Sequence, residues 1–183
     1  MKVLALSTVV VTLAEMGDKT QLLSFLLAAK LRRKIPILLG ILMATLANHY
    51  LAGYVGICLG SVCSARTLKW IVALSFFFFA VWALRPDTLE ENRKFRGSGV
   101  FLTTLVAFFL VEMGDKTQLA TVTLAMRYES LTAVVLGTTL GMMIANVPAV
   151  WMGDVLVQKV NMKVMRWIAA GLFFLLGILA LFA

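Results

Sequence analysis

The sequence predicts an all-α membrane protein of six transmembrane helices, built as two inverted three-helix repeats. Three observations carry that expectation. Of the 183 residues, 61% are hydrophobic and the mean hydropathy is +0.95, well above the roughly 45–50% apolar share of soluble domains. Charged residues fall mainly in short breaks between long apolar runs. The octapeptide Glu-Met-Gly-Asp-Lys-Thr-Gln-Leu occurs twice, at Glu15–Leu22 and Glu112–Leu119. The net charge of +8 does not point to nucleic acid, because clustered basic residues between apolar runs are the topogenic pattern of membrane loops.

Taken in order, the apolar runs give helices over 3–29, 35–60, 68–84, 99–126, 131–156 and 166–182. Most reach the roughly 20 residues that span a bilayer; the third and sixth are shorter. Lys2, the apolar run after it and Thr12-Leu13-Ala14 resemble a signal peptide with a weak cleavage site. The second copy has the same apolar lead-in at Val100–Val111, so the first run is read as a retained helix. The charged stretch Arg85–Ser98 divides the chain into a first repeat over 1–85, a central cytoplasmic loop over 86–98 and a second repeat over 99–183. The halves match at an offset of 97 residues: Glu15 with Glu112, Asp18 with Asp115, Gly40 with Gly137, Trp70 with Trp167 and Phe76-Phe77 with Phe173-Phe174. One residue slips in the second helix, setting Ala47-Asn48 opposite Ala145-Asn146. Because three is odd, a second three-helix copy enters the membrane from the other side, as in many secondary transporters. The odd-numbered loops carry eleven Lys and Arg against four in the remaining loops and termini, which puts the odd loops in the cytoplasm and both termini in the periplasm.

The twin motif carries the chemistry. An ionised group at the bilayer centre costs roughly 2.5–3.5 kcal/mol on insertion scales, so charges repeated there imply mutual compensation and a task. Residues three apart in a helix share a face, so Glu15 and Asp18 are expected to project to one side, with Lys19 close by and Thr8 and Thr12 extending a polar stripe. Each motif lies near the middle of its segment, hence near the midplane. Gly17 and Gly114 permit a break there, which would free carbonyl oxygens beside the carboxylates. The candidate metal ligands are Glu15, Asp18, Glu112 and Asp115, supported by Thr20, Gln21, Asn48, Thr117, Gln118 and Asn146, with Lys19 and Lys116 balancing charge. All-oxygen donors suit manganese, magnesium or calcium. Four carboxylates and two lysines leave a formal charge of −2, matched by one divalent cation, and carboxylates can accept protons when the metal leaves.

Plainer readings stand beside this one. The two motifs can be a structural ion-pair lattice in which each lysine neutralises an acid of the opposite half, and Asn48 and Asn146 can be interhelical hydrogen-bond formers. His49, Cys58 and Cys63 form neither a CxxC nor an HExxH pattern, so a zinc site has little support and packing roles are expected. Asp154 is expected at headgroup level. The four tryptophans are expected as interfacial anchors or lipid-facing bulk, and Phe76–Phe79 as lipid-facing bulk or bundle packing.

Two copies of Glu-x-Gly-Asp-(Lys/Arg)-(Thr/Ser), at Glu15–Thr20 and Glu112–Thr117, in a six-helix repeat resemble the GDT-type cation exchangers. Gly137–Met142 and Ala145–Val150 resemble the fifth helix of that family. The resemblance implies transport of manganese, and of calcium in some members, against protons, and it is nearest to short bacterial manganese exporters of the inner membrane. The expectation is therefore an antiporter, not an enzyme. It would export Mn2+ as substrate in exchange for protons, with no permanently bound cofactor, in the lipid bilayer of a bacterial inner (plasma) membrane. A calcium-selective exchanger, a passive divalent-cation channel and a non-transporting scaffold are the alternatives, and the chain leaves homo-oligomerisation open.

Overall fold

The computed structural model describes residues 1–85, 99–152 and 162–182. The described residues form helices and no strands: α1 (Lys2–Glu15), α2 (Lys19–Leu31), α3 (Lys34–Val62), α4 (Ala65–Ala83), α5 (Val100–Glu112), α6 (Lys116–Tyr128), α7 (Leu131–Met152) and α8 (Met162–Phe182). Three of them, Lys34–Val62, Arg66–Ala83 and Leu131–Met152, are long and apolar enough to cross a membrane. The expected central loop and Asp154 lie outside the described residues.

Two expected helices are not continuous. The segments 3–29 and 99–126 each divide at their motif, into α1 and α2 and into α5 and α6. The cause is a glycine with positive φ, +83° at Gly17 and +75° at Gly114. At α4 and α8 the helix begins three to four residues earlier than the apolar run alone suggests. Ser64 caps α4 by accepting from the Thr67 N–H at 3.2 Å, which satisfies one of the otherwise orphaned donors of the first turn.

The distribution of side chains is inverted relative to a soluble protein. Tyr54, Phe78, Trp167 and Leu179 are each more than half exposed, while Glu15, Asp18, Glu112, Asp115 and Asn146 are buried. A bilayer is the solvent that makes this arrangement favourable, since apolar residues face lipid at no cost and polar groups must find partners inside.

Glycines set the helix contacts. A Cβ at Gly137 would stand 2.5 Å from the Leu4 carbonyl and 2.8 Å from Ser7 Cβ, and one at Gly40 would stand 2.9 Å from the Phe101 carbonyl and 2.8 Å from Thr104 Cβ. The two contacts are the same contact displaced by 97 residues on both sides. Gly141 rests on Thr8 and Thr12, one turn beyond the Gly137 contact, so α7 runs parallel to α1. Asn48 donates to the Phe109 carbonyl at 3.0 Å, so α3 likewise runs parallel to α5. At the start of α3, Lys34 Nζ donates to the Trp151 carbonyl (3.2 Å) and lies over the Trp151 ring. Gly53, far along α3, meets Leu131 and Val135 at the start of α7; α3 and α7 are therefore antiparallel. A third layer comes from α4 on α8, where Phe76 stacks on Phe173 (centroids 6.3 Å apart) and Phe77 meets Phe174 (5.3 Å). Phe76 and Phe79 are core and Phe78 faces outward.

Candidate metal centre

The first four residues of each motif form a turn. Met16 has φ −64° and ψ 117°, Gly17 has φ +83°, and the Asp18 N–H donates to the Glu15 carbonyl at 3.0 Å. The second copy repeats this, with Met113 at −60° and 121°, Gly114 at +75° and Asp115 N–H to the Glu112 carbonyl at 3.0 Å. These are type II turns, whose third position requires a positive φ and therefore favours glycine. The last four residues start the next helix. Asp18 caps α2, its Oδ1 accepting from the Lys19 N–H at 2.7 Å. Gln21 reaches back so that its Oε1 accepts from the Gly17 N–H at 3.0 Å; Gln118 does the same for Gly114 at 2.7 Å. The arrangement is akin to a capping box.

Glu15 and Asp18 therefore do not meet by sharing a helix face. The turn brings the C-terminal residue of one helix against the N-cap of the next, and tertiary packing then brings the two turns together. Glu15, Asp18 and Asp115 each offer a carboxylate oxygen within 4.8 Å of the others, and all three residues are buried. Glu112 is equally buried but stands outside that group, with its Oε2 accepting from the Thr117 hydroxyl at 3.2 Å. The Glu15 side chain has both oxygens buried without a donor in hydrogen-bonding geometry. The adjacent Asn146 amide donates to the Met142 carbonyl at 3.0 Å.

The lysines cross between the halves. Lys19 Nζ lies 2.7 Å from Asp115 Oδ1 and Lys116 Nζ lies 2.9 Å from Asp18 Oδ2. Each aspartate thus stands at the N-cap position of its own half, Asp18 with a side-chain cap bond and Asp115 without one, and is the counter-ion of the other half. The plainer reading of a lysine lattice is part of the geometry, yet two lysines leave two of the four acids without a matching cation. A buried, uncompensated carboxylate is expensive, and a divalent cation among the three carboxylates would supply the missing charge. No sulfur or imidazole enters this group; hard oxygen donors are what manganese, magnesium and calcium take.

The supporting residues separate into two kinds. Thr20 and Thr117 are fully buried beside the acids, and Thr20 Oγ1 has no hydrogen-bond partner. Gln21, whose Nε2 donates to the Ala145 carbonyl at 3.1 Å, and Gln118 hold the turns. Asn146 accepts from Ser24 at 2.6 Å, and Asn48 is tied to α5 through Phe109, so both asparagines join helices around the site. Ser24 was missing from the expected set; its only sequence signal was being a hydroxyl one helical turn past Thr20 and Gln21. The Thr8 and Thr12 hydroxyls bond to the carbonyls of Leu4 and Thr8 in their own helix, and that of Thr12 also lies 3.3 Å from the Gly141 carbonyl of α7. Cys58 and Cys63 are free thiols, Cys58 exposed, and His49 is buried in α3.

A helical, apolar-surfaced protein with broken helices meeting at a buried group of carboxylates belongs to the class of membrane cation transporters. The chain is more specifically a member of the family described as divalent cation/proton antiporter GDT1, whose profile matches residues 3–91 and 100–183. It is 45% identical over all of its 183 residues to a Vibrio cholerae protein named "Putative manganese exporter", covering 92% of that protein. It is 25% identical to "GDT1-like protein 5" of Arabidopsis thaliana, over 92% of this chain and 90% of the relative. It is also 25% identical to "GDT1-like protein 3" of Oryza sativa subsp. japonica, over 89% of this chain and 67% of the relative. No solved structure matches the chain.

Proposed function

We propose that this protein exports divalent manganese from the cytoplasm in exchange for protons, using one site shared by its two motifs. Glu15, Asp18 and Asp115 hold the ion, and Glu112 is the fourth carboxylate of the same centre. The observation that carries the reading is the buried group of three carboxylates drawn from both halves, which no single helix could assemble. Protons entering from the periplasm compete for the same oxygens, and their arrival releases the metal outward. Metal and proton thereby exclude each other, which is the condition for exchange rather than leakage.

Two inverted three-helix repeats in a bacterial inner membrane, six spans in all with both termini periplasmic, are the architecture we assign to this function. The parallel pairs α1/α7 and α3/α5, with α3 antiparallel to α7, support it: α1 then runs opposite to its counterpart α5, and α3 opposite to its counterpart α7. Broken first helices put half-helix N-termini, with their positive dipole ends, at the ion site and beside the capping aspartates.

The test is flux in proteoliposomes carrying a manganese-sensitive and a pH-sensitive dye together. An outward manganese gradient should drive protons inward without an imposed membrane potential, and calcium in place of manganese should move more slowly. Metal flux at full rate with no proton movement would make the protein a channel, and faster calcium than manganese would make it a calcium exchanger.

A further inference from the structure

The two motifs have one sequence and one backbone geometry, yet their glutamates are held differently. Glu15 joins Asp18 and Asp115, with the Asn146 side chain beside it and no hydroxyl of its own motif bonded to it. Glu112 lies beside that group without joining it, held by the hydroxyl five residues ahead of it, Thr117, at 3.2 Å. The matching hydroxyl of the first half, Thr20, is fully buried five residues ahead of Glu15 across the same type II turn, and it holds nothing. The turns differ in the same sense: Met113 is 56% exposed and Gly114 is exposed, whereas Met16 and Gly17 are half-buried.

We infer that Thr20 and Thr117 are positioning residues, a pair of hydroxyl latches that hold one motif glutamate at a time away from the ion. In the arrangement seen here Thr117 retains Glu112 while Glu15 completes the group with the aspartates. In the opposite arrangement Thr20 retains Glu15, Thr117 lets go, and Glu112 completes the group with the same two aspartates. The aspartates, tied crosswise to Lys19 and Lys116, stay in place in both. The inference rests on the inverted-repeat exchanger described above, because inversion makes the two arrangements mirror one another across the membrane and gives each its own side of access. It assigns the two threonines different partners at any moment, although the sequence makes them equivalent.

A double-mutant cycle tests this in reconstituted full-length protein, with equilibrium manganese binding and manganese/proton exchange both measured. Valine keeps the shape of threonine and removes the hydroxyl. Removing the donor of a buried hydrogen bond leaves its acceptor unsatisfied, which is enough to shift a two-state balance roughly tenfold. Thr117→Val destabilises the arrangement seen here and Thr20→Val the opposite one, so each should slow exchange about tenfold by trapping the other state. Manganese affinity should stay within roughly threefold of wild type, since neither hydroxyl is a ligand to the ion. Combining the two removes both latches, rebalances the states and should bring exchange back to within about threefold of wild type. Thr20→Ser and Thr117→Ser should each exchange as wild type does.

An additive loss in the double variant, near a hundredfold, would overturn the latch and leave the exchanger standing. So would a collapse of manganese affinity in either single variant, which would make the hydroxyls ligands. A wild-type protein that binds manganese but does not exchange it for protons would overturn the exchanger and the latch with it.

Discussion

Gly114 distinguishes a broken helix from a continuous one by the sign of a single substitution. It holds φ +75° at the third position of a type II turn, and a Cβ built there meets nothing within 4 Å. Steric overlap with neighbours therefore contributes nothing to Gly114→Ala, and only the backbone term remains. Holding an L-residue in the left-handed region costs roughly 1–2 kcal/mol. Were the segment 99–126 one uninterrupted helix, the same change would stabilise it by roughly 0.5–1 kcal/mol, because alanine loses less entropy than glycine on becoming helical. The two structures thus differ by about 1.5–3 kcal/mol in expected effect, with opposite signs. For a chain of this size the broken helix predicts a fall in melting midpoint of roughly 2–8 °C, followed by far-ultraviolet circular dichroism in detergent. Gly114→Asn should lose less, since asparagine tolerates the left-handed region. A midpoint that rises or holds steady in Gly114→Ala would refute the turn, and with it the way Glu112 and Asp115 are brought together.

Four further outcomes follow from the same geometry. Asp18→Asn and Asp115→Asn each remove a member of the three-carboxylate group, so cells expressing either at wild-type level should lose manganese resistance; full resistance would remove these residues from the ion site. Lys116→Met removes the cation 2.9 Å from the buried Asp18 Oδ2 and should destabilise by about 3–5 kcal/mol. Lys19→Met, at a side chain 23% exposed against 6% for Lys116, should cost clearly less in the same melts. Gly137→Ala drives a Cβ into the Leu4 carbonyl and should cost roughly 1–3 kcal/mol, while Gly171→Ala, with open space around it, should be neutral or mildly stabilising. Manganese binding should weaken as pH falls, because protonating a carboxylate removes a ligand; isothermal titration at several pH values would show affinity independent of pH if the ion sits elsewhere.

The sequence was enough to find the membrane, the duplication and the acids, since composition, apolar length and an exact repeat are properties of the chain itself. It even held the local signal for the break: Glu-Met-Gly-Asp is a type II turn with glycine where positive φ is required, and Asp-Lys-Thr-Gln is a helix N-terminus with its cap and its reaching glutamine. Read as a stretch of one long apolar segment, those eight residues looked like a helical face, because hydropathy averages over the polar punctuation. The pairing of Lys19 with Asp115 and Lys116 with Asp18 could be anticipated only as a crosswise pattern, not as distances. What the chain could not reveal is which glutamate stands with the aspartates. Glu15 and Glu112 are followed by the same seven residues, and the differences in what precedes them, such as Ala14 against Val111 and Thr12 against Phe109, name no winner. Their difference arises because α1 packs on α7 through Gly137 and Gly141, whereas α5 packs on α3 through Gly40 with Ala44 in place of a second glycine. Two identical motifs in unlike surroundings need not adopt one arrangement, and only packing between the halves decided that Glu15 would enter the group and Glu112 would be held at Thr117.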